Sequence, residues 1–338
     1  MPRAFVAGCA GPELTDAERA FFRDADPLGF ILFRRNVVSP DQVRHLTAAL
    51  RECVGRADAP VLIDQEGGRV QRMGPPHWPR YPAGRLYGRL ADGDATRRRD
   101  LAVLGTRLIA ADLRAVGITV DCLPVLDVPV PGAHDIIGDG AYADEPDGVA
   151  ELGRAAAEGL LAGGVLPVVK HIPGHGRAGA DSHEALPRVA ASLAELRGRD
   201  FRPFRAAADL PLGMTAHVVY EAIDPDRPAT LSPAVVADII RGEIGFDGLL
   251  LTDDLSMKAL SGRFRTRAEQ ALAAGCDVVL HCNGDLAEMR DVAEGATALG
   301  GASLRRWEAA SALIAGAPGA FDPVDARLAL DGALAAAA

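Results

Sequence analysis

The sequence predicts an α/β protein built as a single (β/α)8 barrel of the TIM type. Three observations point there. Eight short apolar runs recur along the chain, mostly alternating with segments of helical periodicity. The runs are continuously apolar, as in parallel strands covered by helices. Residues suited to chemistry follow directly on the runs, where a barrel would gather them on one face. An open doubly wound sheet is the alternative, but no Gly-x-Gly-x-x-Gly turn follows the first run.

The first strand spans Arg3 to Ala7 and ends at Gly8-Cys9-Ala10-Gly11. A helix over about Thr15 to Asp24 follows, then a second strand, Gly29 to Phe33. Ser39-Pro40-Asp41-Gln42 opens a helix. Ser39 can cap it, Pro40 suits the first helical position and Gln42 can close a capping box. Val43, Leu46, Leu50 and Cys53 give this helix one apolar face. Pro60 to Ile63 is the third strand, and Asp64-Gln65-Glu66-Gly67-Gly68-Arg69-Val70-Gln71-Arg72 leaves its end. A loop rich in Pro and Gly runs over roughly Met73 to Gly88, before a long helix over about Asp94 to Val116.

Ile118 to Val125 is the fourth strand, and Pro129 to Asp147 reads as irregular. A helix over about Gly148 to Gly163 leads to the fifth strand, Val165 to Val169. Ser192-Leu193-Ala194-Glu195 starts another helix with a capping box. Leu212 to Thr215 is the sixth strand, and Ser232-Pro233 opens a helix bearing Val236, Ile239 and Ile240. Gly248 to Thr252 is the seventh strand, Arg265 to Ala274 is helical, and Cys276 to Leu280 is the eighth strand. The chain then reads as helical to about Ala315 and ends in an Ala-rich tail with no legible motif after Pro323. No linker divides it, so residues 1–338 are expected to form one domain.

Composition excludes several classes of partner. A net charge of −10 argues against nucleic acid, which wants a basic face. No apolar run approaches the roughly 20 residues of a membrane helix. Five cysteines without a Cys-x-x-Cys pair fit a reducing compartment and no zinc knuckle. Val6-Ala7-Gly8-Cys9 resembles a lipoprotein cleavage box, but too little apolar chain precedes it for a signal peptide. The expected location is the cytoplasm.

The stretch from Lys170 to His183 holds three of the eight histidines and directly follows the fifth strand. Lys, Asp and His are expensive to bury unpaired, so core packing does not account for it. Just past the other strands lie Asp64, Asp127, His217, Asp253 with Asp254, and His281. In a barrel these converge at the carboxyl-end face. Two chemistries fit. One is hydrolysis on a metal held by His and Asp, although no His-x-His pair is present. The other is metal-free displacement at a sugar, which needs a carboxylate nucleophile and a proton donor across the scissile bond. Asp253 or Asp254 can be the nucleophile. A histidine can be the donor, and Asp181-Ser182-His183 offers one with a carboxylate to orient it.

Lys170-His-Ile-Pro-Gly-His-Gly176, Asp181-Ser-His183 and Thr252-Asp-Asp-Leu-Ser-Met257 resemble glycoside hydrolase family 3, and within it the NagZ-type β-N-acetylhexosaminidases. Asp64 to Arg72, Met214-Thr-Ala-His217 and Gly245-Phe-Asp-Gly248 match as well, so the resemblance runs from Gly29 to about Asn283. It implies retaining, two-step hydrolysis of terminal β-linked GlcNAc on muropeptide fragments in cell-wall recycling. Asp253 matches the nucleophile, His183 the acid/base and Asp181 its dyad partner. Asp64, Arg72, Lys170 and His171 match residues that hold the sugar hydroxyls. No metal or cofactor is implied. The partner is a small carbohydrate, with no nucleic acid and no membrane, and the protein is expected to be a monomer. Asp254 is expected to serve structure and His175 to hold its loop, while His217 and His281 stay open between supporting and core roles.

Two positions depart from the family pattern. Ile172 replaces a Phe, a mild apolar exchange. Gly140 stands where the family has a sugar-contacting arginine after Gly-Asp, and Arg177 or Arg69 is a candidate replacement. Two rivals stay open: a β-GlcNAc phosphorylase, since a histidine acid/base repels an incoming phosphate less than a carboxylate would, and, because of Gly140, a sugar-binding barrel of altered specificity.

Overall fold

Eight parallel strands close on one another in a computed structural model that describes residues 1–90, 93–135 and 137–336. In chain order they are β1 (Arg3–Ala7), β2 (Pro27–Leu32), β3 (Val61–Ile63), β4 (Val120–Asp121), β5 (Leu166–Ile172), β6 (Leu212–Thr215), β7 (Leu249–Asp254) and β8 (Val278–His281). Each pairs with its neighbours in sequence, and β1 closes on β8 with Phe5 beside Val279 and Ala7 beside His281. The predicted (β/α)8 barrel is the observed fold.

Alternation along the strands divides the core. Val6, Leu28, Leu62, Val120, Leu166, Leu212, Leu249 and Val278 belong to one cluster. It draws on all eight strands, so it fills the barrel interior. The residues between them, such as Phe5, Phe30, Val61 and Val279, pack outward under the helices. Both faces of the strands are thus apolar, which is why they read as continuous apolar runs.

Capping fixes where the helices begin. Thr15 caps Asp16–Ala25: its hydroxyl accepts the Glu18 N–H at 3.2 Å, and Glu18 accepts the Thr15 N–H at 2.9 Å. Ser192 and Glu195 form the second reciprocal box. Ser39 caps Pro40–Val54, but its box is only half closed. Gln42 turns its carbonyl to the Val38 N–H instead and donates to Pro12 and Asn36 carbonyls.

Four expectations need correction. The fourth strand is regular only over Val120–Asp121, with a single further bridge from Val125 to Lys170. Pro124 has no N–H to give the ladder. The expected loop from Met73 to Gly88 contains the start of a helix, Gly84–Arg89. The chain after Pro323 forms a helix, Pro323–Ala336, whose Ala326 and Leu330 are buried on the main core. Finally, β5 and β7 run on through Lys170–His171 and Asp253–Asp254, so these residues sit on the strands rather than beyond them.

Leu166 is fully buried inside the barrel, whereas Leu328 on the last helix is 67% exposed. We expect Leu166→Ala to lower the unfolding free energy by about 2–5 kcal/mol. Leu328→Ala should stay within about 0.5 kcal/mol of the wild type, both read by urea unfolding.

Candidate active site

One cavity opens at the carboxyl ends of the strands, and its walls include Asp64, Glu66, Arg72, Lys170, His171, His183 and Asp253. β3 delivers Asp64 and β5 delivers Lys170 along the interior line already set by Leu166 and Val168. Lys170 Nζ lies 2.6 Å from Glu66 Oε1 and 3.1 Å from Asp64 Oδ1, and Arg72 Nη2 lies 3.0 Å from Asp64 Oδ2. Burial alone would raise Asp64, but Lys170 and Arg72 outweigh it and hold the carboxyl at about 2. The same carboxylates raise Lys170 against its burial, so it stays a cation.

The next layer is built on Asp127. This fully buried carboxylate lies 2.7 Å from His171 Nδ1 and accepts the His175 N–H at 2.6 Å. Burial would lower His171, yet Asp127 raises it overall. His175, with no such ring partner, is lowered by burial and by His171. Its Nε2 meets Ser182 Oγ at 3.3 Å, which ties the Lys170–His175 stretch to the segment carrying His183.

β7 separates the two adjacent aspartates. Asp253 continues the interior line of Leu249 and Leu251. Burial would raise it, but His171, His217, the Asp254 N–H and Lys170 together hold it below the usual carboxylate range. Asp254 is committed to structure: it accepts from Ser256 Oγ at 2.5 Å and from the Cys282 N–H at 3.0 Å. His217 is locked between Thr230 Oγ1 at 2.7 Å and the Asp254 carbonyl at 3.0 Å, and burial lowers it. His281 turns away from the cavity to Glu288 at 3.1 Å, with its ring against the edge of Phe264.

At the rim, Asp181 Oδ1 accepts the His183 N–H and lies 2.8 Å from His183 Nδ1. Nδ1 is thereby occupied, and Nε2 is left for a ligand. The His183 side chain is 65% exposed, against 5% for Lys170. The cavity thus joins the half-buried, ionised Asp253, a cluster of paired charges and a histidine–aspartate pair at its mouth.

Comparison with known proteins fits this arrangement. The family described as Glycosyl hydrolase family 3 N terminal domain matches residues 12–306. The chain belongs to glycosyl hydrolase family 3. It is 40% identical over 282 residues to a beta-hexosaminidase of Alkalilimnicola ehrlichii, covering 82% of this chain and 80% of that protein. It is also 40% identical over 286 residues to a beta-hexosaminidase of Pseudomonas aeruginosa, covering 84% and 83%. The structure of NagZ from Neisseria gonorrhoeae in complex with N-trifluoroacetyl-D-glucosamine superposes with a TM-score of 0.87 at 33% identity, covering 98% of each chain. The resemblance to NagZ-type β-N-acetylhexosaminidases therefore holds over the barrel.

All four expected sugar-holding residues, Asp64, Arg72, Lys170 and His171, line one cavity with Asp253 and His183. The sequence places Asp127 among the strand-end residues of this face without a role and assigns none to Glu66; in the structure Asp127 holds His171 and Glu66 holds Lys170. Asp127 leaves the end of β4, the strand that pairs with β5, and that neighbouring position brings it to His171. The two candidate replacements for the missing arginine also separate. Arg177 is tied to Asp200 at 2.7 Å, away from the cavity, whereas Arg69 lines it, held by Asp139 at 3.1 Å and by Asp135.

Because Asp64 sits near 2 in the fold and about 3.9 in an unfolded chain, the unfolded state takes up its proton first as pH falls. Its contribution to stability is full above about pH 4 and is lost by about pH 2. Asp64→Asn should be less stable at neutral pH and should lose less stability across that window, as read by urea midpoints.

Proposed function

We propose that this protein is a retaining exo-β-N-acetylhexosaminidase that releases terminal β-linked GlcNAc through a glycosyl-enzyme on Asp253. The observation that carries this reading is Asp253 itself: a half-buried carboxylate on the interior line of β7, kept ionised by the surrounding His171, His217 and Lys170. Such a carboxylate can attack carbon only if it is not engaged by an ion pair of its own. Among the described residues its one hydrogen bond is accepted from the Asp254 N–H, at 2.8 Å.

In the first step an Asp253 oxygen bonds to the anomeric carbon as the glycosidic C–O bond breaks. The imidazolium of His183 gives its Nε2 proton to the departing oxygen. In the second step neutral His183 takes a proton from water, the water oxygen bonds to the anomeric carbon and Asp253 leaves. Asp181 fixes the ring through Nδ1 and stabilises the charged form. Asp64, Arg72, Lys170 and His171 hold the sugar hydroxyls. The relatives' printed activity and the N-trifluoroacetyl-D-glucosamine bound to the Neisseria protein support an N-acetylated sugar. We take the substrate to be GlcNAc-bearing muropeptide fragments in peptidoglycan recycling. The protein works as one catalytic domain and a monomer, in the cytoplasm and without metal or cofactor.

We expect a chromogenic β-GlcNAc glycoside to be hydrolysed with chelator present, and Asp253→Ala to lower kcat by roughly a thousandfold or more. In kcat/KM, which reports the first step, His183→Ala should cost about 10²–10⁴-fold on a poor leaving group and much less on a nitrophenolate, because only the former needs the proton there. Phosphate-dependent release of sugar-1-phosphate would replace hydrolysis with phosphorolysis. Binding of GlcNAc by a folded wild type without turnover would replace catalysis with recognition.

A further inference from the structure

The buried charges at the cavity floor are paired unevenly. Both oxygens of Asp64 are used, one by Lys170 and one by Arg72. Glu66 spends only Oε1, on Lys170 at 2.6 Å. Its Oε2 has no partner among the described residues, although the side chain is only 10% exposed. The neighbouring cations are already committed, Arg72 to Asp64 and Arg69 to Asp139.

Gly140 determines what can reach that oxygen. A Cβ on Gly140 would stand 3.4 Å from Glu66 Oε2 and 3.8 Å from Val125 Cγ2, ordinary contact distances. A side chain at position 140 would therefore lie over the carboxylate, and the glycine leaves that space open to the cavity. When a sugar displaces water from a largely enclosed carboxylate oxygen, the sugar must return a donor or leave the charge unpaired.

Resting on the glycosidase reading above, we propose that Glu66 Oε2 accepts a hydrogen bond from one hydroxyl of the bound sugar, and that Gly140 leaves the room for it. Glu66 is then a specificity-determining residue with two separable contacts, Lys170 on one oxygen and substrate on the other. A site built to bond a hydroxyl rejects the analogue that lacks it more strongly than a merely apolar pocket would.

The test compares 4-nitrophenyl β-GlcNAc with its 3-deoxy, 4-deoxy and 6-deoxy analogues on the wild type, Glu66→Gln and Gly140→Leu. Glutamine keeps the size of Glu66 but not both acceptors. Gly140 is not among the glycines at positive φ, so leucine is compatible with its backbone. We expect each variant to lose roughly ten- to a hundredfold in kcat/KM on the parent, chiefly through KM for Gly140→Leu. On one deoxy analogue, already poor with the wild type, that additional loss should vanish. Equal losses on all four substrates would mean that Glu66 serves only Lys170, and would overturn the proposal alone. Failure of the wild type to hydrolyse the parent would overturn the glycosidase reading and this proposal with it.

Discussion

The contact on which the site depends is the one between Lys170 and the carboxylates of Asp64 and Glu66. An ammonium as buried as Lys170 is tolerable only with partners in place, because desolvation otherwise drives it to the neutral form. The barrel supplies those partners from β3 and its exit across the short β4. That constraint fixes the register of three successive strands at their carboxyl ends. It also leaves Lys170 and Arg72 fully charged inside a cavity where hydrogen bonds to a sugar are worth more than in water.

One face of the barrel then holds carboxyl groups in very different states, and environment alone separates them. Asp64, between two cations, sits at about 2. Asp121 is pushed up to about 8 by burial: one oxygen accepts the Gln65 N–H at 2.9 Å, and the other has no partner among the described residues. Asp253 is also held below the usual carboxylate range, by histidines and Lys170, without an ion pair to any of them among the described residues. Separating carboxylates by their surroundings is how one fold obtains a fixed charge, a neutral acid and a nucleophile from one residue type.

Most of this was legible in the sequence because it follows from period and position. Continuous apolar runs gave all eight strands, and the residues at their ends gave Asp64, Lys170, His171 and Asp253. Spacing alone did not choose between Asp253 and Asp254; the family resemblance favoured Asp253, and the inward line of Leu249 and Leu251 supplies the physical distinction. Between the two roles left open for His281 the core one holds, since β8 carries it one residue farther than the apolar run, onto the outer face. Asp127 was legible as a strand-end carboxylate but not as the partner of His171, and Glu66 not at all, because both act through partners distant in sequence. The last helix, Pro323–Ala336, was missed because an alanine-rich segment carries little periodic contrast.

The central claim is that Asp253 becomes covalently bonded to the sugar, and the most direct measurement traps that species. A 5-fluoro-β-GlcNAc fluoride slows the second step, so the adduct should accumulate and be seen by intact mass and peptide mapping. The account predicts one added glycosyl group, located on Asp253 within Leu249–Asp254. A label on Asp254 or Asp64, or turnover with no adduct and inversion at the anomeric carbon, would contradict it.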